Sequence, residues 1–114
     1  MKTLTLTLKK KWFDLIKAGV KKEEYRECSK YWIARFQKLC SNFEYFHAAP
    51  HNNVMLSCSG LNVDLLVFTL GYPKADDTKR RLVFKNPKIR IGQGKPEWGA
   101  EPGKQYFVIT WEAK

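Results

Sequence analysis

The sequence predicts an α+β fold: a small mixed β-barrel of five to six strands with two short helices near the N-terminus. The chain has 114 residues, of which 44% are hydrophobic and 28% are charged, as is usual for one globular domain. Several short segments with strand patterning are separated by turn residues, which is typical of a small barrel. Strands and helices do not alternate as they do in parallel α/β proteins. We therefore interpret residues 1–114 as a single domain.

The chain is predicted to begin with a strand and a short helix. Over residues 3–8 three leucines alternate with three threonines, which indicates a half-buried strand. Trp12, Leu15 and Ile16 then recur at helical spacing, which indicates an amphipathic helix. Gly19 is a typical C-terminal stop for that helix.

A second strand and a second helix are predicted next. The strand covers residues 21–27 with Tyr25 as its apolar anchor, and regular alternation places Glu24 and Arg26 on the opposite face. Ser29 can cap the helix. The helix is predicted to run to the end of its apolar stripe, which contains Trp32, Ile33, Phe36, Leu39 and Cys40.

Residues 41–63 have the weakest pattern in the chain, and we interpret them as an insertion or variable segment. A strand is expected to open near Phe43, residues 47–53 to form a loop, and residues 54–58 to form a short apolar piece. Four potential zinc ligands occur here, but they lack the paired spacing of about two to five residues that structural zinc sites have. We predict no metal and no cofactor. The four residues are Cys40, His47, His51 and Cys58.

Two further strands are predicted to form a hairpin. Residues 64–70 are almost continuously apolar, and Gly71 begins a turn. The returning strand starts near residue 79 and resumes at Ile89 after a break or bulge. Proline cannot donate to a strand ladder, so we place the break at Asn86-Pro87.

The C-terminal part is predicted to contain a long loop and a final strand. Residues 92–104 are dense in glycine and proline and carry Glu97, Trp98 and Glu101. Long loops in compact domains are often functional. Residues 106–112 alternate in a way that indicates a closing strand.

The composition favours a polyanionic partner. The net charge is +10, which in so small a domain points to nucleic acid or a phosphorylated ligand, although simple solubility is an alternative. The three cysteines are an odd number and no secretory leader precedes them, which favours reduced thiols in the cytoplasm. No apolar run approaches the roughly eighteen residues of a membrane span.

Charged residues concentrate where the first helix passes into the second strand. Lys21, Glu24 and Arg26 lie within six residues. A lysine among apolar neighbours can act as a base or nucleophile, a glutamate can deprotonate water, and an arginine can bind phosphate. From the residues alone, a solvated strand edge and a buried ion network that anchors the barrel both remain open.

The second helix carries an aromatic and basic line. Tyr31, Arg35 and Lys38 recur at i, i+4 and i+7, the combination that stacks on bases and neutralises phosphates. A solvated helix face is the alternative interpretation. Trp32 and Trp98 are candidates for stacking on a base.

The pattern Gly19-x-Lys21-x-x-Glu24-x-Arg26, after a strand and a Trp12-containing helix, resembles the signature of the ASCH domain family. These are small pseudouridine-synthase-and-archaeosine-transglycosylase-like (PUA-like) barrels. The resemblance is closest to the ASCH-like proteins of phages and prophages, and residues 41–63 fall outside it. The resemblance also extends to Leu4 to Leu8, Tyr31-Trp32, Gly71-Tyr72 and the segment from Gly94 to Lys104.

The resemblance implies a β-barrel with a cleft beside the signature and an association with RNA or modified nucleosides. Some members are similar to amidohydrolases that deacetylate N4-acetylcytidine, and others are linked to RNA cleavage. In the amidohydrolases the signature lysine is catalytic, which corresponds to Lys21. They carry threonine where this chain has Glu24, and by rough position Glu97 is the candidate for their later catalytic acid.

Three functions follow as hypotheses. The first is a module that binds RNA or a modified nucleoside, and the second is a small hydrolase or ribonuclease that uses Lys21 and a glutamate. The third is a phage-type module that binds a protein. The candidate catalytic residues are Lys21, Glu24 and Glu97, and the candidate nucleic-acid contacts are Arg26, Tyr31, Trp32, Arg35, Lys38 and Trp98.

Overall fold

The computed structural model describes residues 2–48 and 53–112, with side chains for all of these except residues 40–61. The strands are β1 (Thr3–Leu8), β2 (Glu24–Glu27), β3 (Cys40–Ala48), β4 (Asn53–Leu61), β5 (Leu65–Leu70), β6 (Arg81–Gln93) and β7 (Gln105–Glu112). The helices are α1 (Lys10–Lys17) and α2 (Lys30–Gln37), and 3₁₀ turns cover Thr78–Arg80 and Pro96–Trp98.

Five strands form one mixed sheet in the order β1-β5-β6-β7-β2. β1 is parallel to β5, and the remaining neighbours are antiparallel. β3 and β4 pair only with each other in a separate two-stranded sheet. The prediction of an α+β fold with two short helices and a mixed sheet is confirmed. The described residues contain seven strands and not the predicted five to six, because β3 and β4 form a pair of their own.

Side chains connect the outer edge of β1 to β2 and α2. Arg26 of β2 donates from Nη2 to the carbonyl oxygen of Thr7 at 2.8 Å, and Arg35 of α2 donates from Nη2 to that of Thr5 at 3.0 Å. Carbonyl groups of alternate residues point to the same side of a strand. The carbonyls of Thr5 and Thr7 therefore lie on one edge of β1, the edge opposite to the one that pairs with β5. We call this line of four residues the seam. It is consistent with a small barrel-like fold.

The core lies between the sheet and the helices. The leucines of β1 are buried and its threonines exposed, as the alternation predicts. Phe36 of α2 meets the edge of Phe107 with ring centroids 4.8 Å apart. Burying a side chain of this size contributes about 1.5–3 kcal/mol, so the core fixes both helices against the sheet. Its buried members are Leu4, Leu6, Leu8, Phe13, Ile16, Phe36, Val63, Leu66, Phe68, Ile89, Phe107 and Ile109.

Both helices are close to their predicted positions. Ser29 caps α2 by accepting from the Trp32 N–H at 3.4 Å, as predicted. α2 ends at Gln37, before the predicted limit, because Cys40 already belongs to β3. Each helix has eight residues, and within the described ranges no helix is long and apolar enough to cross a membrane.

The weakly patterned segment forms a long hairpin. β3 and β4 pair from Cys40 opposite Leu61 to Ala48 opposite Asn53. The strand β4 is therefore longer than the predicted apolar piece of residues 54–58. The predicted loop of residues 47–53 also included residues that belong to the two strands. The sequence shows no clean alternation here, and alternation is the signal that identifies a strand. The four potential zinc ligands lie outside the described side chains. The interpretation of residues 41–63 as an insertion stays a prediction.

Two boundaries in the sheet differ from the predictions. β2 begins at Glu24 and not at residue 21, because the backbone before it is still hydrogen-bonded to the end of α1. β6 extends to Gln93, which pairs with Gln105, so the loop is shorter than the predicted residues 92–104. The predicted bulge is confirmed: the β6 register shifts between Lys85 and Lys88.

Candidate functional site

A cavity of about 550 Å³ opens where β1 ends, between β2 and the segment of residues 94–104, here called the late loop. This volume is within the range of small-molecule sites, about 300–1,000 Å³. We call it the first cavity. It is lined by Thr7, Leu8, Lys9, Trp12, Lys21, Glu24, Tyr25, Arg26, Glu27, Gly71, Tyr72, Trp98, Gly99, Glu101 and Tyr106.

The way in which α1 ends places Lys21 in the first cavity. Gly19 has a φ of 77°, and its N–H donates to the carbonyl oxygen of Ile16 at 3.0 Å. The Val20 N–H donates to that of Leu15, also at 3.0 Å. These two bonds form a Schellman motif, which needs a left-handed residue and therefore favours glycine. Lys21 follows this rigid turn, and its own N–H also donates to the Leu15 oxygen at 3.1 Å.

Lys21 is buried with only 2% of its surface exposed. Its Nζ donates to Oε1 of Glu24 at 2.7 Å. The same atom lies 4.3 Å from the ring centroid of Trp12 and 5.8 Å from that of Tyr25. A buried charge needs a partner, and here a carboxylate and two aromatic rings surround the ammonium.

Glu24 links two cations. Oε1 accepts from Lys21, and Oε2 accepts from Nη2 of Arg26 at 2.9 Å. The Glu24 side chain is buried, and the Arg26 side chain is 17% exposed. Nε of Arg26 is buried and has no hydrogen-bond partner among the described residues. Lys21, Glu24 and Arg26 together therefore carry a net positive charge, since one anion lies between two cations.

Burial changes the proton affinities of both cations. Desolvation lowers the pKa of Lys21; the charge of Glu24 and its hydrogen bond oppose this, and the nearby Arg26 adds to it. Desolvation also lowers the pKa of Arg26, against the attraction of Glu24. A lysine with a lowered pKa releases its proton more readily than a free lysine, as a base or nucleophile must.

Two tyrosines attach the late loop to the sheet. Tyr25 donates from its hydroxyl to Oε1 of Glu23 at 2.8 Å and accepts from the Lys95 N–H at 2.9 Å. The hydroxyl of Tyr106 accepts from the Glu101 N–H at 3.0 Å. Burial raises the pKa of Tyr25 to about 12, so its hydroxyl remains a donor well into the alkaline range.

Gly99 allows the late loop to approach Trp12. It has a φ of 99°, and a Cβ at this position would lie 2.8 Å from Cζ2 of the Trp12 indole. A side chain would therefore collide with an aromatic wall of the first cavity. Trp98, the preceding residue, lines the same cavity.

The structure divides the predicted site residues among three places. Lys21, Glu24, Arg26 and Trp98 line the first cavity. Tyr31, Trp32 and Arg35 line a second cavity, also of about 550 Å³, to which Arg26 contributes as well. Lys38 and Glu97 are exposed and line neither. The acidic residue of the late loop that lines the first cavity is Glu101.

Several lining residues were missed by the sequence analysis as site residues. Tyr25 and Tyr106 were interpreted only as strand residues, although each also reaches the first cavity. Tyr72 is 96% exposed and lines both cavities. A large aromatic residue directly after a turn glycine is a signal that could have identified it.

Comparison of the chain with protein-family models, with curated proteins and with solved structures gave no match. The geometry of the two cavities and the chemistry of the side chains that line them are therefore the basis for assigning a function.

The lowered pKa of Lys21 predicts a specific pH dependence of stability. An unfolded chain keeps this lysine protonated up to its ordinary pKa of 10.5, whereas the folded chain releases the proton earlier. In that window the unfolded state binds more protons, so the free energy of unfolding contributed by Lys21 rises with pH. Urea unfolding of the wild type and Lys21→Met between pH 7 and 10.5 should show that the free energy of unfolding of the wild type rises relative to that of the variant as the pH increases. A relative loss would mean that Glu24 dominates and the pKa is raised.

Proposed function

We propose that the protein is a PUA-like module that binds RNA or a modified nucleoside, with a base held in the first cavity. The observation that carries this proposal is the buried Lys21–Glu24 pair in a cavity of nucleoside size with aromatic walls. The odd number of cysteines favours a cytoplasmic location.

The chemistry of the lining fits a base. A lysine ammonium has three N–H groups and donates one to Glu24, which leaves donors for a ring nitrogen or carbonyl. Glu24 and Glu101 supply acceptors for an exocyclic amine. Bases splayed out of single strands are held by stacking on aromatic rings and by hydrogen bonds to their edges. Trp98 supplies the stacking ring, while the Trp12 ring, which the Lys21 ammonium contacts at 4.3 Å, forms an aromatic wall.

Charge and resemblance support the same function. The net charge of +10 favours a polyanion. The residues that resemble the ASCH signature, Lys21, Glu24 and Arg26, are the ones that meet in the first cavity. The motif residues line the first cavity, and this agreement supports the proposed function more strongly than the motif or the cavity does alone.

A second candidate is hydrolysis of an acylated base. Its specific support is the lowered pKa of Lys21 with a carboxylate 2.7 Å away. In such a reaction Glu24 takes a proton from water, and the resulting hydroxide adds to the acyl carbon. The carbon–nitrogen bond then breaks, and Lys21 gives a proton to the leaving nitrogen. The products are a carboxylic acid and the free amine, and transfer of the proton from Glu24 to Lys21 restores the pair.

Substitution of Trp98 tests the binding proposal. We expect Trp98→Ala to weaken binding of a short single-stranded RNA or of the best-bound nucleoside by about 5-fold or more, since stacking on one base is worth about 1–3 kcal/mol. Trp98→Phe keeps a ring and should retain most of the affinity. Tryptophan fluorescence and calorimetry measure both variants.

Mass spectrometry of the same mixtures separates the candidates. Conversion of N4-acetylcytidine to cytidine, lost in Lys21→Ala, would establish the hydrolase, and cleavage of the RNA would establish a ribonuclease. Binding without conversion supports the module. Unaltered affinity in a folded Trp98→Ala variant would contradict stacking in the first cavity, and absence of all RNA and nucleoside binding would favour a protein partner.

A further inference from the structure

The second cavity is rich in arginine. It is lined by three arginines, three threonines and three large aromatic residues, with Gly71 and Pro73 between them. Of the described residues that line it, none carries a carboxylate. The hydroxyls of Thr5 and Thr7 can donate to an anion, whereas that of Thr69 already donates to the Gly71 carbonyl oxygen at 2.9 Å. The guanidinium groups can bind an anion in pairs of hydrogen bonds. The charged and polar members are Arg26, Arg35, Arg81, Thr5, Thr7 and Thr69.

Two of the arginines lie close to the same indole ring. The guanidinium carbons of Arg26 and Arg35 lie 5.0 Å and 5.2 Å from the ring centroid of Trp32. The charge of Arg35 contributes to lowering the pKa of Arg26, which shows that the two cations repel each other. An anion placed between them would relieve this repulsion.

In the hydrogen bonds that the structure describes, Arg35 and Arg81 donate only to neutral carbonyl groups, and no carboxylate pairs with either charge. Arg35 donates to the Thr5 carbonyl oxygen. Arg81 donates to three carbonyl oxygens of the turn after β5, those of Pro73, Lys74 and Asp77. These bonds orient the guanidinium groups without neutralising them. Nε of Arg26 adds a buried N–H that has no partner among the described residues.

The two cavities are adjacent and share part of their lining. Thr7, Arg26, Gly71 and Tyr72 line both. Arg26 stands at the boundary, with one hydrogen bond to Glu24 of the first cavity and its guanidinium over Trp32 of the second. A ligand with an uncharged ring at one end and an anionic group at the other fits this arrangement.

We propose that the second cavity binds a phosphate group of the nucleotide whose base lies in the first cavity. The inference rests on the proposed function and specifies its substrate class: a nucleoside phosphate, or a nucleotide within a strand, in preference to a free nucleoside. Arg35 and Arg26 bind the phosphate oxygens. The exposed Tyr72 lies beside the sugar that connects the two groups.

Calorimetric titrations test this assignment. The ligands are the four common ribonucleosides and N4-acetylcytidine, each compared with its 5′- and 3′-monophosphate, and inorganic pyrophosphate alone. We expect one monophosphate to bind at least about tenfold more tightly than its nucleoside, as for a hydrogen bond to a charged group. Arg35→Gln should remove this advantage, and Arg35→Lys should restore part of it.

Lys30→Gln is the matched control. It removes one positive charge from the same helix at an exposed position that lines neither cavity. It should leave the monophosphate advantage unchanged, whereas an equal loss in Lys30→Gln would mean that net charge alone attracts phosphate and would overturn the assignment. Circular dichroism melting confirms that the variants are folded.

The outcomes distinguish the two proposals. Equal binding of nucleoside and monophosphate would overturn the phosphate subsite and leave base binding intact. Binding of pyrophosphate that depends on Arg35, without nucleoside binding, would support the subsite and contradict the base proposal. If neither these ligands nor the short single-stranded RNA binds to the folded wild type, both proposals are wrong.

Discussion

Replacing Glu24 by glutamine is expected to destabilise the protein by about 3 kcal/mol, because it leaves Lys21 and Arg26 without their shared anion. Removing one partner of a buried ion pair costs about 3–5 kcal/mol, and we take the lower end since Arg26 is partly exposed. Thermal and urea unfolding measure the effect, which corresponds to a fall in Tm of about 10 °C or more for a domain of this size.

A double variant separates charge repulsion from lost packing. In Glu24→Gln/Lys21→Met one of the two unpaired cations is also removed, so part of the stability should return. Glu27→Gln is the control: Glu27 is on the same strand, but its pairing with Lys104 is exposed, and its loss should cause a much smaller change. If the double variant is less stable than Glu24→Gln, repulsion is not the cause.

Replacing Lys21 by methionine is expected to weaken binding in the first cavity strongly while retaining the fold. Methionine has a similar length, and Glu24 keeps its bond to Arg26, so the loss of stability should be smaller than in Glu24→Gln. Binding in the first cavity loses a charged hydrogen-bond donor, which is worth about 1.5–3 kcal/mol, or a factor of about 10–100 in Kd. Any lysine-dependent turnover should disappear.

The neighbouring lysine supplies the control for this variant. Lys22 is exposed and lines neither cavity, so Lys22→Met removes the same charge one residue away. Its effect should be limited to a small weakening of RNA binding that disappears at high salt. Equal losses in the two variants would show that the position of Lys21 is unimportant and that only net charge matters.

Local features of the fold could be predicted from the sequence because they depend on a few neighbouring residues. The glycine stop at Gly19 and the Ser29 cap are decided within one helical turn, and both are present. The alternation in β1 and the bulge at Asn86-Pro87 are equally local. The hairpin of β3 and β4 lacked this local signal.

The meeting of distant segments could not be predicted in the same way. The pairing of β1 with β5 joins residues about sixty positions apart, and the second cavity combines β1, α2 and the turn after β5. The motif grouped Lys21, Glu24 and Arg26, and Glu24 contacts both cations; their joint role in a site stays a prediction. It gave no means of choosing Glu101 over Glu97, because that choice depends on how the late loop turns at Gly99.

The seam also protects the protein from self-association. An edge strand with unpaired carbonyl groups is a template on which a strand of another molecule can add. Arg26 and Arg35 occupy the carbonyls of Thr7 and Thr5 and place positive charge along the edge. A second molecule that approached this edge would meet a charged and already hydrogen-bonded surface, so the arginines proposed to hold a ligand also keep β1 from recruiting another chain.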